Sequence, residues 1–117
     1  LWESISVRDT AVRRNMKENF YHGMLLGLLR SQDSWLVRSN AEKGEGYSDI
    51  SIQTPDRVGM IIELKYADDG NLEKACAEAL NQIEEKKYAE GLKRRGVKKI
   101  IRYGIAFCEK ECMVVMA

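Results

Sequence analysis

Residues 47–66, YSDISIQTPDRVGMIIELKY, constrain the fold more than any other stretch of this chain. Apolar and polar residues alternate on either side of a Pro-Asp turn, the pattern of two β-strands that each turn one face to a core. The alternation places Ile50, Ile52, Met60, Ile62 and Leu64 on the core face and Asp49, Glu63 and Lys65 on the other. With the turn centred on Asp56 and bracketed by Pro55 and Gly59, Asp49 falls directly opposite Glu63, and Lys65 is the diagonal neighbour of Asp49. Opposed residues have Cβ atoms roughly 5 Å apart, and like charges so placed destabilise the pair. Two readings fit. One is a solvated sheet face, on which a lysine between two acids is an ordinary surface ion pair. The other sets a hard divalent cation between the carboxylates: Mg²⁺ takes one or two of them, keeps several waters and leaves positions for phosphate oxygens. The Lys65 ammonium would then orient or deprotonate a water, or neutralise charge in a phosphoryl transition state.

The flanking sequence adds helices and further strands. Residues 10–29 read as a helix, capped by Asp9 or Thr10, with Tyr21, Leu25, Leu28 and Leu29 as its apolar stripe. Glu18 lies about 20° from Leu25 and Leu29 around that helix and about 40° from His22, so its carboxylate faces inward. A buried charge needs a partner. A lysine or arginine, a rim position open to water, or a cation would each serve. SWLVRSN (34–40) suggests a short strand, EKGEG a turn, and residues 72–92 a second helix with Leu72, Cys76, Ala79 and Ile83 inward, Gln82 flanking them and Gly91 or Gly96 near its end. KKIIRYGIAFCEKECMVV gives two more strands around an EKE turn, the first rich in β-branched and aromatic residues. The expected order is αβββαββ, an α/β fold.

A chain of 117 residues reads as a single domain, 1–117, able to bury roughly two-thirds of its unfolded surface without staples. It opens on Leu rather than Met, and we read it as excised or processed from a longer chain. Its longest apolar run, GMLLGLL, is far short of the ~20 residues of a membrane span, so no membrane partner is expected. Cys76, Cys108 and Cys112 lack C-x-x-C spacing and the one histidine, His22, is remote from them; zinc is not indicated, and reduced, buried thiols in the cytoplasm are. The net charge of +1 exerts no general pull on nucleic acid. Residues 86–99, however, hold seven Lys or Arg against one Glu, and Lys93, Arg94, Arg95, Lys98 and Lys99 form either a phosphate-facing patch or a solvated helix end. Trp2 and Trp35 have no stacking companions and read as packing or partner surface.

Taken in order, ENFYHGMLLGLL, SNAEKGEGYSDI, IIELK and ALNQIEEKKYAEGL resemble the PD-(D/E)XK nuclease superfamily over residues 17–115, and more narrowly the branch often found C-terminal to an AAA-type ATPase-like module in bacterial proteins. The layout is also similar to that of archaeal Holliday-junction resolvases. The resemblance implies a restriction-endonuclease-like core, a mixed central β-sheet flanked by helices. It implies a Mg²⁺-dependent nuclease, with Mn²⁺ able to substitute, hydrolysing phosphodiester bonds of nucleic acid, DNA first. The family's helix-borne acid falls on Glu18, its metal-binding aspartate on Asp49, its E-x-K on Glu63 and Lys65, and its glutamine on Gln82. In this reading Asp49, Glu63 and the Leu64 carbonyl hold the metal, Glu18 joins them or aligns a metal water, Lys65 works on the nucleophile, and Gln82 fixes Lys65 or a phosphate. Tyr21 and His22 lie beside Glu18 on the same helix, where the resemblance suggests that both types recur; they read as core or supporting residues, with His22 as a general base the sharper alternative. A homodimer and a fused N-terminal ATPase-like module are compatible partners. Tyr47 stands where many relatives carry Arg, and the first motif's proline is absent near Asp49. The alternative is a nuclease-fold module with little or no turnover that binds nucleic acid or a partner for a fused ATPase.

Overall fold

The computed structural model describes the backbone of residues 7–39, 49–86, 88–109 and 111–117, and the side chains of these except residues 7–15, 49, 86 and 88. Trp2, the EKGEG turn and Tyr47 lie outside the described residues. Helix α1 (Val7–Arg30) is followed by strands β1 (Leu36–Ser39), β2 (Asp49–Gln53) and β3 (Val58–Tyr66), helices α2 (Leu72–Lys86) and α3 (Tyr88–Arg94), and strands β4 (Lys99–Cys108) and β5 (Glu111–Met116). The strands form one sheet in the order β1-β2-β3-β4-β5; β3 and β4 run parallel and the other neighbours antiparallel. This is a mixed sheet with helices on both faces, consistent with a restriction-endonuclease-like fold.

The hairpin forms in the expected register, with Asp49 opposite Glu63 and Ile50 opposite Ile62. Its turn is closed by Thr54, whose N–H donates to Val58 O at 2.9 Å, whose hydroxyl donates to the Asp56 carboxylate, and whose Oγ1 accepts from Val58 N–H at 3.1 Å. Arg57 takes up a left-handed conformation there (φ 66°). Ile50, Ile52, Ile62 and Leu64 join Val37 and Phe107 in the core under α1, into which Tyr21, Leu25, Leu26, Leu29, Trp35 and Met60 also pack. Leu28 does not: it is exposed, so the inward stripe of α1 includes Leu26 instead. The helix begins at Val7, which puts Asp9 and Thr10 inside it rather than at its cap.

The opposite sheet face is covered as well. Ile61 packs with Ile83, Leu92 and Val97, and Ala67 with Ala75, Cys76 and Ala106. Asn71 caps α2, its Oδ1 accepting from Lys74 N–H at 3.1 Å, with Glu73 in the first turn complementing the helix dipole. The helix expected over 72–92 is described as helix on both sides of residue 87, as α2 and α3, and runs on to Arg94. The second closes in a Schellman turn: Gly96 adopts φ 88°, Gly96 N–H donates to Lys93 O and Val97 N–H to Leu92 O, while the Leu92 and Val97 side chains pack together. Of the cysteines, Cys76 is buried, Cys108 half-buried and Cys112 exposed, so burial holds for one of the three thiols. Burial pushes the Cys76 thiol pKa up.

Gly104 on β4 sets the distance between α2 and the sheet. A Cβ there would lie 2.7 Å from the Cys76 carbonyl oxygen and 3.0 Å from Leu80 Cγ. Gly104→Ala must push α2 outward, and overpacking of this kind costs about 1–3 kcal/mol. Thermal melting should fall by several degrees relative to the unsubstituted chain, and an unchanged melting temperature would show that α2 has slack over β4.

Candidate active site

The site is built on the end of β3, where strand alternation and pairing fix the direction of every group. Glu63 shares a row with Asp49 on β2 and Gly104 on β4, and it faces α2 with a relative exposure of 0%. Ile61 meets Ile83 and Ala67 meets Ala75, so Glu63 faces the middle of α2, between those contacts. Lys65, two residues on, points to the same side and is half-buried. The Asp49 backbone is in register with Glu63; its side chain lies outside the described ones.

Glu18 approaches from the other side of the sheet. It is 3% exposed, and its Oε2 accepts a hydrogen bond from Tyr66 N–H at 3.0 Å. Ala67 N–H donates to Phe107 O on β4, so Tyr66 N–H, one residue back, points to the opposite edge of β3, past the last described pairing with β2. Leu64 C=O points to that same edge, because backbone groups two residues apart in a strand share a direction. The β2-side edge of β3 thus carries the Glu18 carboxylate and the Leu64 carbonyl, next to the Asp49 position. His22, one helical turn after Glu18, is buried and shares a hydrogen bond with Ser39 Oγ at 3.0 Å through Nε2, a supporting role on β1.

A cleft of about 370 Å³ opens here, and Glu18 and Lys65 both line it. It continues along Tyr66, Asp68, Asp69, Lys74 and Glu78. These last residues were not singled out from the sequence. The only cue to them was position, since they follow E-x-K directly through ADDGN into the first turns of α2. Glu63, with no exposed surface, is not among the residues that line the cleft. Gln82 stands on α2 one turn beyond Glu78; its Oε1 is buried and has no hydrogen-bond partner among the described residues.

The basic residues are elsewhere. Lys93, Arg94, Arg95, Lys98 and Lys99 are all exposed, and Lys99 pairs in register with Val58, at the opposite end of β3 from Lys65. Seven residues of strand separate those ends, roughly 23 Å.

Hard oxygen donors dominate the β3 edge, and that chemistry fits a hard cation such as Mg²⁺ or Mn²⁺ rather than a soft one. Among the described residues, no group of three or more His, Cys, Asp or Glu side chains stands close enough to hold a metal. A full set would therefore draw on Asp49 and on the Leu64 carbonyl.

The family profile of the PD-(D/E)XK nuclease superfamily matches residues 16–117. This chain belongs to that superfamily. PD-(D/E)XK proteins are in general hydrolytic nucleases that use divalent metal ions, so membership implies a nucleic-acid substrate. No curated protein and no solved structure gives a significant match. Within this PD-(D/E)XK chain, no helix of the described residues is long and apolar enough to cross a membrane.

The bond from Tyr66 N–H makes a direct prediction. Glu18→Ala leaves a half-buried donor without its acceptor, at a cost of about 1 kcal/mol, whereas Glu18→Gln keeps an acceptor in place and should cost less. Urea denaturation of the three proteins checks this order, and equal stability of Ala and Gln variants would show that the bond contributes nothing.

Proposed function

We propose that this chain is a metal-dependent nuclease that hydrolyses phosphodiester bonds of DNA, with Asp49, Glu63 and the Leu64 carbonyl holding Mg²⁺. The observation that carries the reading is the fully buried Glu63 carboxylate in register with Asp49, beside an edge to which Glu18 brings a second buried carboxylate. Two buried carboxylates, Glu63 and Glu18, with Asp49 in register beside the first, make a set of acids whose mutual repulsion a bound cation would offset. The bound metal ion would supply an activated water and neutralise charge on the phosphate.

The chain's own groups account for the rest. Lys65 offers three donors and no acceptor, and from the cleft wall it can orient the attacking water and stabilise negative charge growing on the phosphoryl oxygens. Glu18, fixed by Tyr66 N–H, would join the metal's coordination or align a water bound there. Gln82 Oε1, without a hydrogen-bond partner among the described residues, can accept from Lys65, and the amide NH₂ of Gln82 can donate to a phosphate. The basic residues at the far end of β3 lie roughly 23 Å away, about seven base-pair steps of B-DNA, so one duplex can reach both. DNA rather than RNA, a bacterial setting and a fused ATPase-like module rest on the motif resemblance, and a cytoplasmic location rests on three cysteines without paired spacing.

Lys65→Ala should leave Mg²⁺ or Mn²⁺ affinity within a few-fold and lower cleavage by orders of magnitude, because the side chain cannot ligate a cation. Calorimetry beside a nicking assay on plasmid, branched and single-stranded DNA measures both. A variant with unsubstituted activity removes Lys65 from the site, and a parent chain that cleaves none of these with either metal overturns the enzyme reading.

Asp49→Asn gives a second, independent check. It keeps shape and removes one of two like charges in register, so in chelator the variant should melt higher than the parent, by about 0.5–2 kcal/mol of stability. Divalent metal should then raise the parent's melting temperature and barely move the variant's. A destabilised variant, with neither curve shifted by metal, would make the two acids ordinary ion-pair partners.

A further inference from the structure

Helix α1 is apolar on two sides. Its inward stripe fills the core, yet Met16, Phe20, Met24 and Leu28 are 48–66% exposed. Their four-residue spacing drifts about 40° per step, so they wind from one flank of the helix across its back. The flank can be located. Tyr21 lies 4.1 Å, ring centroid to centroid, from Phe107 on β4, and Lys17 Nζ sits 5.0 Å over the Tyr66 ring. Leu28 and Met24 follow Tyr21 around the helix by about 20° and 60°. This flank therefore looks across the sheet toward β4 and β5.

The sheet surface it overlooks is also uncovered. Five strands at about 4.8 Å spacing span roughly 19 Å, and one helix covers about 10 Å of that. Val114 and Met116 of β5 pair with Ile105 and Tyr103, which lie on the α1 face with Phe107, and the two β5 residues are 55% and 65% exposed. Beside α1 there is thus an apolar shelf about one helix wide. On the back of α1, a Cβ built on Gly23 or Gly27 would meet nothing within 4 Å, so the surface there is low and open.

We propose that this face is a two-fold interface between two copies of this chain, in which α1 of each copy seats on the β4–β5 shelf of the other, alongside the other's α1. Each copy offers both halves of the contact, a helical ridge and a shelf one helix wide, which is what an isologous interface requires. The winding of the stripe fits as well. In such a pair the flank of α1 meets the second α1, while its back, carrying Phe20 and Met16, meets the second sheet. The six large apolar side chains, each exposing on the order of 100 Å², would bury roughly 600 Å² per copy and 1,200 Å² in all, the lower bound of a stable interface. A formal charge of +1 per chain sets little repulsion against pairing. The inference is independent of catalysis, since none of these residues lines the cleft.

Sedimentation equilibrium on the purified chain tests it, with Phe20→Glu and Val114→Lys as variants on the ridge and the shelf. The unsubstituted chain should be a dimer that dissociates on dilution. Each variant should weaken dimerisation by at least about 30-fold, as loss of a central interface contact does. Circular dichroism and the melting of diluted, monomeric samples should stay unchanged, because both side chains are exposed within one copy. A chain that stays monomeric at about 100 μM, against the micromolar Kd expected of a weak interface, overturns the proposal and leaves the shelf to a different polypeptide. A dimer that survives either substitution overturns it too, by placing the interface elsewhere.

Discussion

A carboxylate with no exposed surface stands where α2 crosses β3, and the surrounding structure answers to it. Ionised groups removed from water cost several kcal/mol unless charge or hydrogen bonds compensate them. Glu63 meets that demand in a layer made thin by Gly104, its neighbour on β4, where the α2 backbone comes as close as a missing side chain allows. Apolar contacts on either side, Ile61 with Ile83 and Ala67 with Cys76, keep the layer dry. Fixed charges act most strongly in such low-dielectric surroundings. The burial that burdens folding at Glu63 is therefore the same property that makes the position useful for phosphoryl chemistry.

The parallel pairing of β3 and β4 gives this charge an outlet. A parallel pair requires a crossover, and α2 and α3 supply it, so the chain leaves the end of β3 at Ala67 and turns at once through Asp68–Asn71 into the capped start of α2. Open α/β sheets bind ligands outside the carboxyl ends of their strands, and here that is where Glu18, Lys65 and Lys74 line one cleft. The basic stretch belongs to the other end of the same crossover, where α3 returns to β4. One topological feature thus separates the acidic chemistry from the basic surface by the length of β3.

Legibility from sequence followed how local the determining physics is. Hairpin register depends on a turn and on alternation, and Asp49 could be set opposite Glu63 from spacing alone. The inward tilt of Glu18 followed from helical periodicity in the same way. What spacing could not supply was which faces are covered. Alternation in β3 marks an apolar face under α1 but gives no sign that Ile61 and Glu63, on the other face, are sealed by α2, because that depends on a helix beyond the next turn. Leu28 was misassigned for a related reason. It lies at the margin of the stripe, and only the width of the sheet decides whether a marginal leucine meets a strand. Asp68, Asp69, Lys74 and Glu78 carry no pattern of their own and entered the site only by following the strand end.

Helix α1 finally ties the two halves of the molecule's surface chemistry together. Its inner side bears Glu18 and His22, which bond to Tyr66 of β3 and Ser39 of β1, while its outer side bears Phe20 and Met24. A helix is rigid across its diameter, so a load on the outer side is transmitted to the inner one with little loss. The inner bonds are polar and directional, sensitive to shifts of a few tenths of an ångström. The outer contacts are apolar and tolerate such shifts. Pairing through the outer side would therefore hold Glu18 in place against the β3 edge more firmly than a lone copy does, without any residue of the interface entering the cleft.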